Sequence, residues 1–384
     1  MKKFKLRSKE WFDNPDDPGL TALYLERYLN YGLKREDLQS GKPIIGIAQS
    51  GSDLSPCNRH FQALSKTIKD GIREAGGVPM EFPTHPIQET GKRPTAALDR
   101  NLSYLSLVEV LYGYPIDGVI LTTGCDKTTP AALMAAATVN IPSIVLSGGP
   151  MLDGNYKGKK AGSGTIIWEA RKLHAKGEID YDEFMDMAAA SAPSIGHCNT
   201  MGTASSMNSI AEALGMSLPG GAIIPAPYKE RTDISFKTGK RIVEMVFENL
   251  TPSKIMTKEA FENAVYVASA IGASSNCPPH LTAIARHMGV DFNLDQWEKL
   301  GHSIPLLANC QPAGEHLMEG FFKAGGIPAI MKELIKDKKL NVKALTVTGK
   351  TMEENLNIKI DVNRDVIKSY ENPLSHNAGF IVMK

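Results

Sequence analysis

An α/β fold with a mostly parallel sheet flanked by helices is what this sequence predicts, and three observations predict it. Short apolar runs rich in β-branched residues recur between residues 42 and 150. Each run exits into a loop of small residues. Each loop leads into a segment whose apolar positions repeat at helical spacing. Strands that alternate with helices need crossover connections, and those connections cover a parallel sheet with helices.

Taken in order, KPIIGIAQS (42–50) reads as a buried strand and GSDLSPC as the loop after it. In NRHFQALSKTIKDGIREAGG, Phe61, Leu64, Ile68 and Ile72 mark one helix face, and Gly76-Gly77 stops the helix. VPMEFPTH is the next strand. A helix is expected after Pro94, running through NLSYLSLVEVLYGY. DGVILTTG is a strand. TPAALMAAATV is a helix opened by Pro130 near its first turn, where a missing N–H is tolerated. IPSIVLSGGP is a further strand with a glycine-rich exit. SGGP (147–150) is read as a turn, with an anion cradle of backbone N–H groups as the alternative. NYKGKKAG is read as a solvated loop. In SIGHCNTMGTASSMNSIAEALG a helix begins, with Thr200, Thr203 or Ser205 as the expected cap. The chain holds no internal repeat and no low-complexity tract.

The 384 residues are 42% hydrophobic and 22% charged, the composition of an ordinary soluble globular protein. With 43 basic and 42 acidic residues the formal net charge is +1. That gives no electrostatic reason to expect nucleic acid or an anionic membrane as partner. Apolar stretches reach about half of the roughly 20 residues that a membrane span needs. The start, MKKFKLRSKEWFDNP, has charge but no apolar core, so no secretory signal is read there and the cytoplasm is the expected location.

The cysteines are Cys57, Cys125, Cys198, Cys277 and Cys310. An odd number without a signal argues against a disulfide framework, and a buried free thiol is the ordinary reading of any one of them. Cys57 and Cys125 each lie just past a predicted strand and before a predicted helix; Cys198 precedes another helix. Ligands on open parallel sheets gather beyond the carboxyl ends of the strands. A helix start also favours thiolate over thiol. No C-x-x-C occurs, which sets aside a zinc ribbon or a ferredoxin-type loop. Three scattered thiolates at one end of a sheet would suit an iron–sulfur cluster with one ligand position open, and an open iron is a Lewis acid able to take a hydroxyl group from a substrate.

The stretch TTGCDKTTPA sets Asp126 and Lys127 beside Cys125. Asp126 is the hard oxygen ligand that Mg²⁺ prefers. Lys127 is unexpected there, because an ammonium at a helix start opposes the dipole and would repel a cation. Carbamylation by CO₂ would make it an anionic oxygen ligand. A solvent-exposed lysine paired with Asp126 is the plain alternative.

The segments SDLSPCN, HPIQETGKRPTAALDRNL, TTGCDKTTPA, LSGGPM, GHCNTMGTASSMNSIAEALGMSLPG and PAGEHL resemble the dihydroxy-acid and sugar-acid dehydratase family. The likeness is strongest to its pentonate branch, the arabinonate and xylonate dehydratases, and runs from about residue 8 to the last. It implies that Cys57, Cys125 and Cys198 hold a [2Fe–2S] cluster, with [4Fe–4S] as the alternative. It implies Mg²⁺ on Glu89 and Asp126, with Lys127 as the carbamylated third ligand. The implied activity is that of a hydro-lyase turning a 2,3-dihydroxy carboxylate, a pentonate-type sugar acid, into a 2-keto-3-deoxy acid. The implied assembly is a homodimer or homotetramer. Two alternatives stand: the branched-chain dihydroxy-acid dehydratase of valine and isoleucine synthesis, and a non-catalytic metal-binding chain that needs a separate C-terminal part.

In that family a serine of a C-terminal domain takes the C2 proton, and the same domain adds a glutamate to Mg²⁺. The resemblance therefore divides the chain into residues 1–375, the metal-binding α/β domain, and 376–384, the start of an incomplete β-rich domain. NPLSHNAGFIVMK is expected to end inside a strand. No base is assigned within 1–384, and the isolated chain is expected to be inactive or nearly so. Cys277 and Cys310 are expected to be packed thiols. His60 and His197 are read either as hydrogen-bonding around the cluster or as plain structural histidines.

Overall fold

The computed structural model describes residues 5–30, 32–87 and 96–383. Strands β1 (Ile44–Gln49), β2 (Val78–Pro83), β3 (Gly118–Thr123) and β4 (Ser143–Ser147) form one sheet in the order β2-β1-β3-β4. Every pairing is parallel: Gly46 stands opposite Met80 on one side and Val119 on the other. All residues of β3 and β4 are buried, whereas only Val78 of the edge strand β2 is. Strands covered on both faces read as continuous apolar runs, which is why β1, β3 and β4 were recognisable.

The helices Phe61–Glu74, Ala96–Gly113 and Thr128–Val139 connect the strands as expected. Thr128–Val139 packs against both Ala96–Gly113 and Cys277–Met288. Its residues from Thr128 to Ala137 are all buried, and its alanine content lets neighbours approach from every side. The helix ends at Asn140 in the left-handed region (φ 55°), whose side chain accepts a hydrogen bond from the Ser253 amide at 2.9 Å. Phe61–Glu74 crosses the long helix Lys229–Phe247 with backbones in contact. A Cβ on Gly71 would lie 2.2 Å from the Phe236 carbonyl oxygen, and one on Gly239 would lie 2.4 Å from that of Ile68. A second apolar cluster, including Val267, Phe321, Ile330 and Leu334, fills the C-terminal half.

Two expectations are corrected. NYKGKKAG is a hairpin, not a loop: β5 (Gly154–Tyr156) pairs antiparallel with β6 (Lys159–Ala161). Lys157 and Gly158 both have positive φ, 49° and 84°, the geometry whose twist matches two paired strands. The final run forms no strand among its described residues. Its long-range backbone bonds among the described residues go to residues 302–306, through a bridge of Ser375 to Leu306 and the bonds of Ala378 and Gly379 to Ile304 and His302. Phe380 anchors it, edge-on to Trp297 at 4.8 Å. No helix among the described residues is long and apolar enough to cross a membrane.

Candidate metal centre

In a parallel sheet all strands exit at one end, so the loops after β1, β3 and β4 must be neighbours. Cys57 sits in the loop after β1 and Cys125 two residues beyond β3. Cys198 is drawn to the same end by its neighbour. The His197 amide donates to the Gly149 carbonyl at 3.0 Å, and the Met151 amide donates to the His197 carbonyl at 2.8 Å.

Two of the three thiols meet, and the third lies near them. Cys57 and Cys125 share a hydrogen bond, and Cys198 lies within electrostatic range of Cys57 and Asp126 and hydrogen-bonds to Ser163. The bond with Cys125 lowers the Cys57 pKa against the opposing effect of burial. Cys198 goes the other way. Burial, and then the Cys57 charge, push it up to about 11. The expected thiolate at a helix start fails there, because Cys198 is five residues short of the helix Thr203–Ala213 and desolvation wins.

Two asparagines fix the loop after β3. Asn58 accepts the Cys125 amide at 3.1 Å, and a Cβ on Gly124 would lie 2.3 Å from the same Oδ1. Asn208 donates to the Gly124 carbonyl at 3.1 Å and accepts from the Thr123 and Thr129 hydroxyls at 3.2 and 3.0 Å. Neither was singled out from sequence, since an asparagine inside a helix pattern carries no local signal. The expected caps are also corrected. The N-cap of Thr203–Ala213 is Gly202, with no side-chain cap. Thr200 donates to the Ser163 carbonyl, Ser205 to that of Cys198, and Thr203 pairs with Ser274.

Lys127 is the N-cap residue of Thr128–Val139, and its Nζ pairs with Asp126 Oδ1. It is only 8% exposed, so the solvent-exposed alternative fails while the pairing stands. The Asp126 charge acts on Cys57, Cys198, Cys277 and His280, which puts all four around it. Glu89 lies outside the described residues. Among the described residues no group of three or more His, Cys, Asp or Glu side chains is spaced to hold a metal ion.

His60 and His197 are buried and hold backbone rather than sulfur. His60 Nε2 is 2.9 Å from the Gly148 carbonyl, and His197 Nδ1 is 3.0 Å from that of Cys198. Burial lowers their pKa values to about 4 and about 3. The SGGP loop is a structural turn. The Gly148 amide donates to Thr123 and the Gly149 amide to Ser147 Oγ, while the buried Arg231 guanidinium donates to the Ser147 and Ile224 carbonyls. Cys277 is buried, hydrogen-bonded to Ser206 and raised by desolvation. Burial likewise pushes Cys310 up to about 12. Both are packed thiols.

The family model for the N-terminal domain of dihydroxy-acid/6-phosphogluconate dehydratases matches residues 42–355. A D-xylonate dehydratase of Caulobacter vibrioides is 60% identical over 380 residues, covering 99% of this chain and 64% of that protein. An L-arabinonate dehydratase of Rhizobium leguminosarum bv. trifolii is 44% identical, covering 99% and 65%. A dihydroxy-acid dehydratase of Halothermothrix orenii is 38% identical, covering 93% and 66%. The chain thus spans just under two thirds of the length of these relatives. With more than three quarters of its residues inside the matched domain, the chain belongs to the dihydroxy-acid/6-phosphogluconate dehydratase family.

Proposed function

We propose that this chain is the metal-binding part of a sugar-acid dehydratase that removes water from a pentonate to leave a 2-keto-3-deoxy acid. The observation that carries the reading is that Cys57 and Cys125 are hydrogen-bonded at the sheet's carboxyl end, with Cys198 and the Asp126–Lys127 pair in electrostatic range. The identities favour a sugar acid over a branched-chain dihydroxy acid, at 60% and 44% against 38%. In this reading the enzyme works as a homodimer or homotetramer.

The donor types suit the groups the family implies, while no three of the described His, Cys, Asp or Glu side chains are spaced to hold a single ion as they stand. Three soft thiols from three loops suit an iron–sulfur cluster, [2Fe–2S] in this branch, better than a single hard ion. Asp126, with Glu89 and a carbamylated Lys127, would hold Mg²⁺. A buried amine at a helix N-cap gains by becoming an anion, which supports the modification. When bound, these groups would supply Lewis acidity at the leaving 3-hydroxyl and at the substrate's carboxylate and 2-hydroxyl.

The chain's own residues position the site. Asn58 and Asn208 hold the Cys125 loop rigid. The His197 amide and carbonyl tie Cys198 to the β4 exit. The C2 proton and the C3 hydroxyl leave as water, and the resulting enol tautomerises to the ketone. No residue of this chain is assigned as the base.

The test is anaerobic purification with iron and sulfide supplied, followed by visible absorption and elemental analysis. About two irons and two sulfides per chain are expected. Serine at Cys57, Cys125 or Cys198 should each abolish the visible bands, while serine at Cys310 leaves them. A colourless, iron-free wild-type chain overturns the reading.

A further inference from the structure

The helix Cys277–Met288 packs along Thr128–Val139, and His280 lies one turn from its start. The residue is 4% exposed. Its Nδ1 is 2.9 Å from Nη1 of Arg100, which comes from the helix Ala96–Gly113. A guanidinium offers only N–H donors. Nδ1 is therefore the acceptor, and the ring proton sits on Nε2. That Nε2–H is buried and meets no hydrogen-bond partner among the described residues. A buried donor without an acceptor is costly, so its retention asks for an acceptor that arrives with a ligand or a modification.

Its surroundings say what that acceptor is. The charges of Lys127 and Asp126 both act on His280, Lys127 more strongly than the hydrogen-bonded Arg100. The same two charges reach Cys277, one turn earlier on the helix. Burial first, then these cations, hold the imidazole neutral with a pKa of about 4. A lysine ammonium cannot accept a hydrogen bond. A carbamate on the same nitrogen offers two anionic oxygens.

We propose that His280, oriented by Arg100, is the positioning residue for modified Lys127, donating its Nε2–H to an oxygen of the carbamate. The proposal rests on the carbamylation in the reading above. In that step the Lys127 ammonium loses one proton to water, and the amine lone pair attacks the carbon of CO₂. An N–C bond forms, one C=O π pair moves onto oxygen, and a second nitrogen proton leaves to water. The side chain passes from +1 to −1. Arg100, behind the imidazole, polarises the ring towards the new anion.

The test uses the full chain with Mg²⁺ and ¹³C-bicarbonate, read by the carbamate carbon resonance as bicarbonate is titrated. Melting curves confirm that each variant folds. His280→Gln keeps an N–H near the Nε2 position and should hold the wild-type midpoint. His280→Asn places its amide at the Nδ1 position and should need about tenfold more bicarbonate or worse. Arg100→Met, on a half-buried site, should raise the midpoint several-fold by freeing the tautomer. The Nε2–H resonance of ¹⁵N-histidine-labelled wild type should move on adding bicarbonate. A wild-type carbamate signal with unchanged midpoints in His280→Asn and Arg100→Met overturns the assignment of His280 alone. A wild type with no such signal overturns the carbamate, and the role of His280 with it.

Discussion

Asn208 is the residue on which the geometry of the thiol site turns. Its carboxamide joins the helix after Cys198 to the loop that carries Cys125, through one donated and two accepted hydrogen bonds. Removing it leaves the Gly124 carbonyl and two threonine hydroxyls without their partner in a buried site. Asn208→Ala should therefore cost about 2–3 kcal/mol, read from denaturant midpoints, and weaken iron retention beyond that loss of stability. Cys57, Cys125, Asp126 and Lys127 were legible in the sequence because their chemistry is written in the residue type and they follow strand ends, as Cys198 was by its thiol alone. Asn208 was not: its partners are 79 to 85 residues away, and no local pattern records them. His280 was silent for the same reason, since its meaning lies in Arg100, 180 residues earlier.

Among the elements, the crossing of Phe61–Glu74 with Lys229–Phe247 shows packing overruling propensity. Alanine is favoured over glycine inside a helix by about 1 kcal/mol. At Gly71, however, a methyl would meet the Phe236 carbonyl oxygen at 2.2 Å, which is backbone and cannot rotate away. Gly71→Ala should lower the melting temperature despite the better helix former, with a net loss of about 2 kcal/mol or more. Gly149→Ala should be worse. It combines φ 83° with a contact of 2.0 Å to the Ile224 carbonyl, and distorts the loop that positions His197. β1, β3 and β4 and the three connecting helices were legible because burial imposes unbroken apolar runs and helical periodicity, whereas β2, buried only at Val78, was read from its short apolar stretch between turns. The hairpin Gly154–Ala161 was not legible, because its strands, Gly-Asn-Tyr and Lys-Lys-Ala, are three residues long and mostly polar; its one signal was the Lys157-Gly158 turn. The final run misled because an apolar sequence such as FIVM matches a strand, yet a strand needs a partner along its length, and this one has a single bridge.

Across the whole molecule, buried titratable groups set the response to pH. His60, His197 and His280 have folded pKa values of about 4, 3 and 4 against 6.5 unfolded. Below 6.5 the unfolded chain binds protons at these sites that the folded chain refuses, so stability falls as pH drops from 6.5 towards 4. Glu212 acts oppositely. Burial raises it from 4.5 to about 7, so between those values the folded state binds the extra proton and acidification stabilises. Three histidines outweigh one carboxylate. Unfolding near pH 5.5 should take up on the order of two protons, measured from the pH dependence of the denaturation midpoint. Glu212→Gln removes the opposing group and should make the acid loss steeper.

The three sulfurs come from loops after two different strands and from a segment beyond the fourth, and none has a second cysteine within reach along the chain. During synthesis Cys57 and Cys125 emerge from the ribosome well before Cys198. On the proposed function, an inorganic core delivered early would find only two of its three anchors, and nothing local would hold it. Maturation of the proposed cluster would then wait for a finished sheet, and conditions that slow folding should yield apoprotein rather than partly loaded chains.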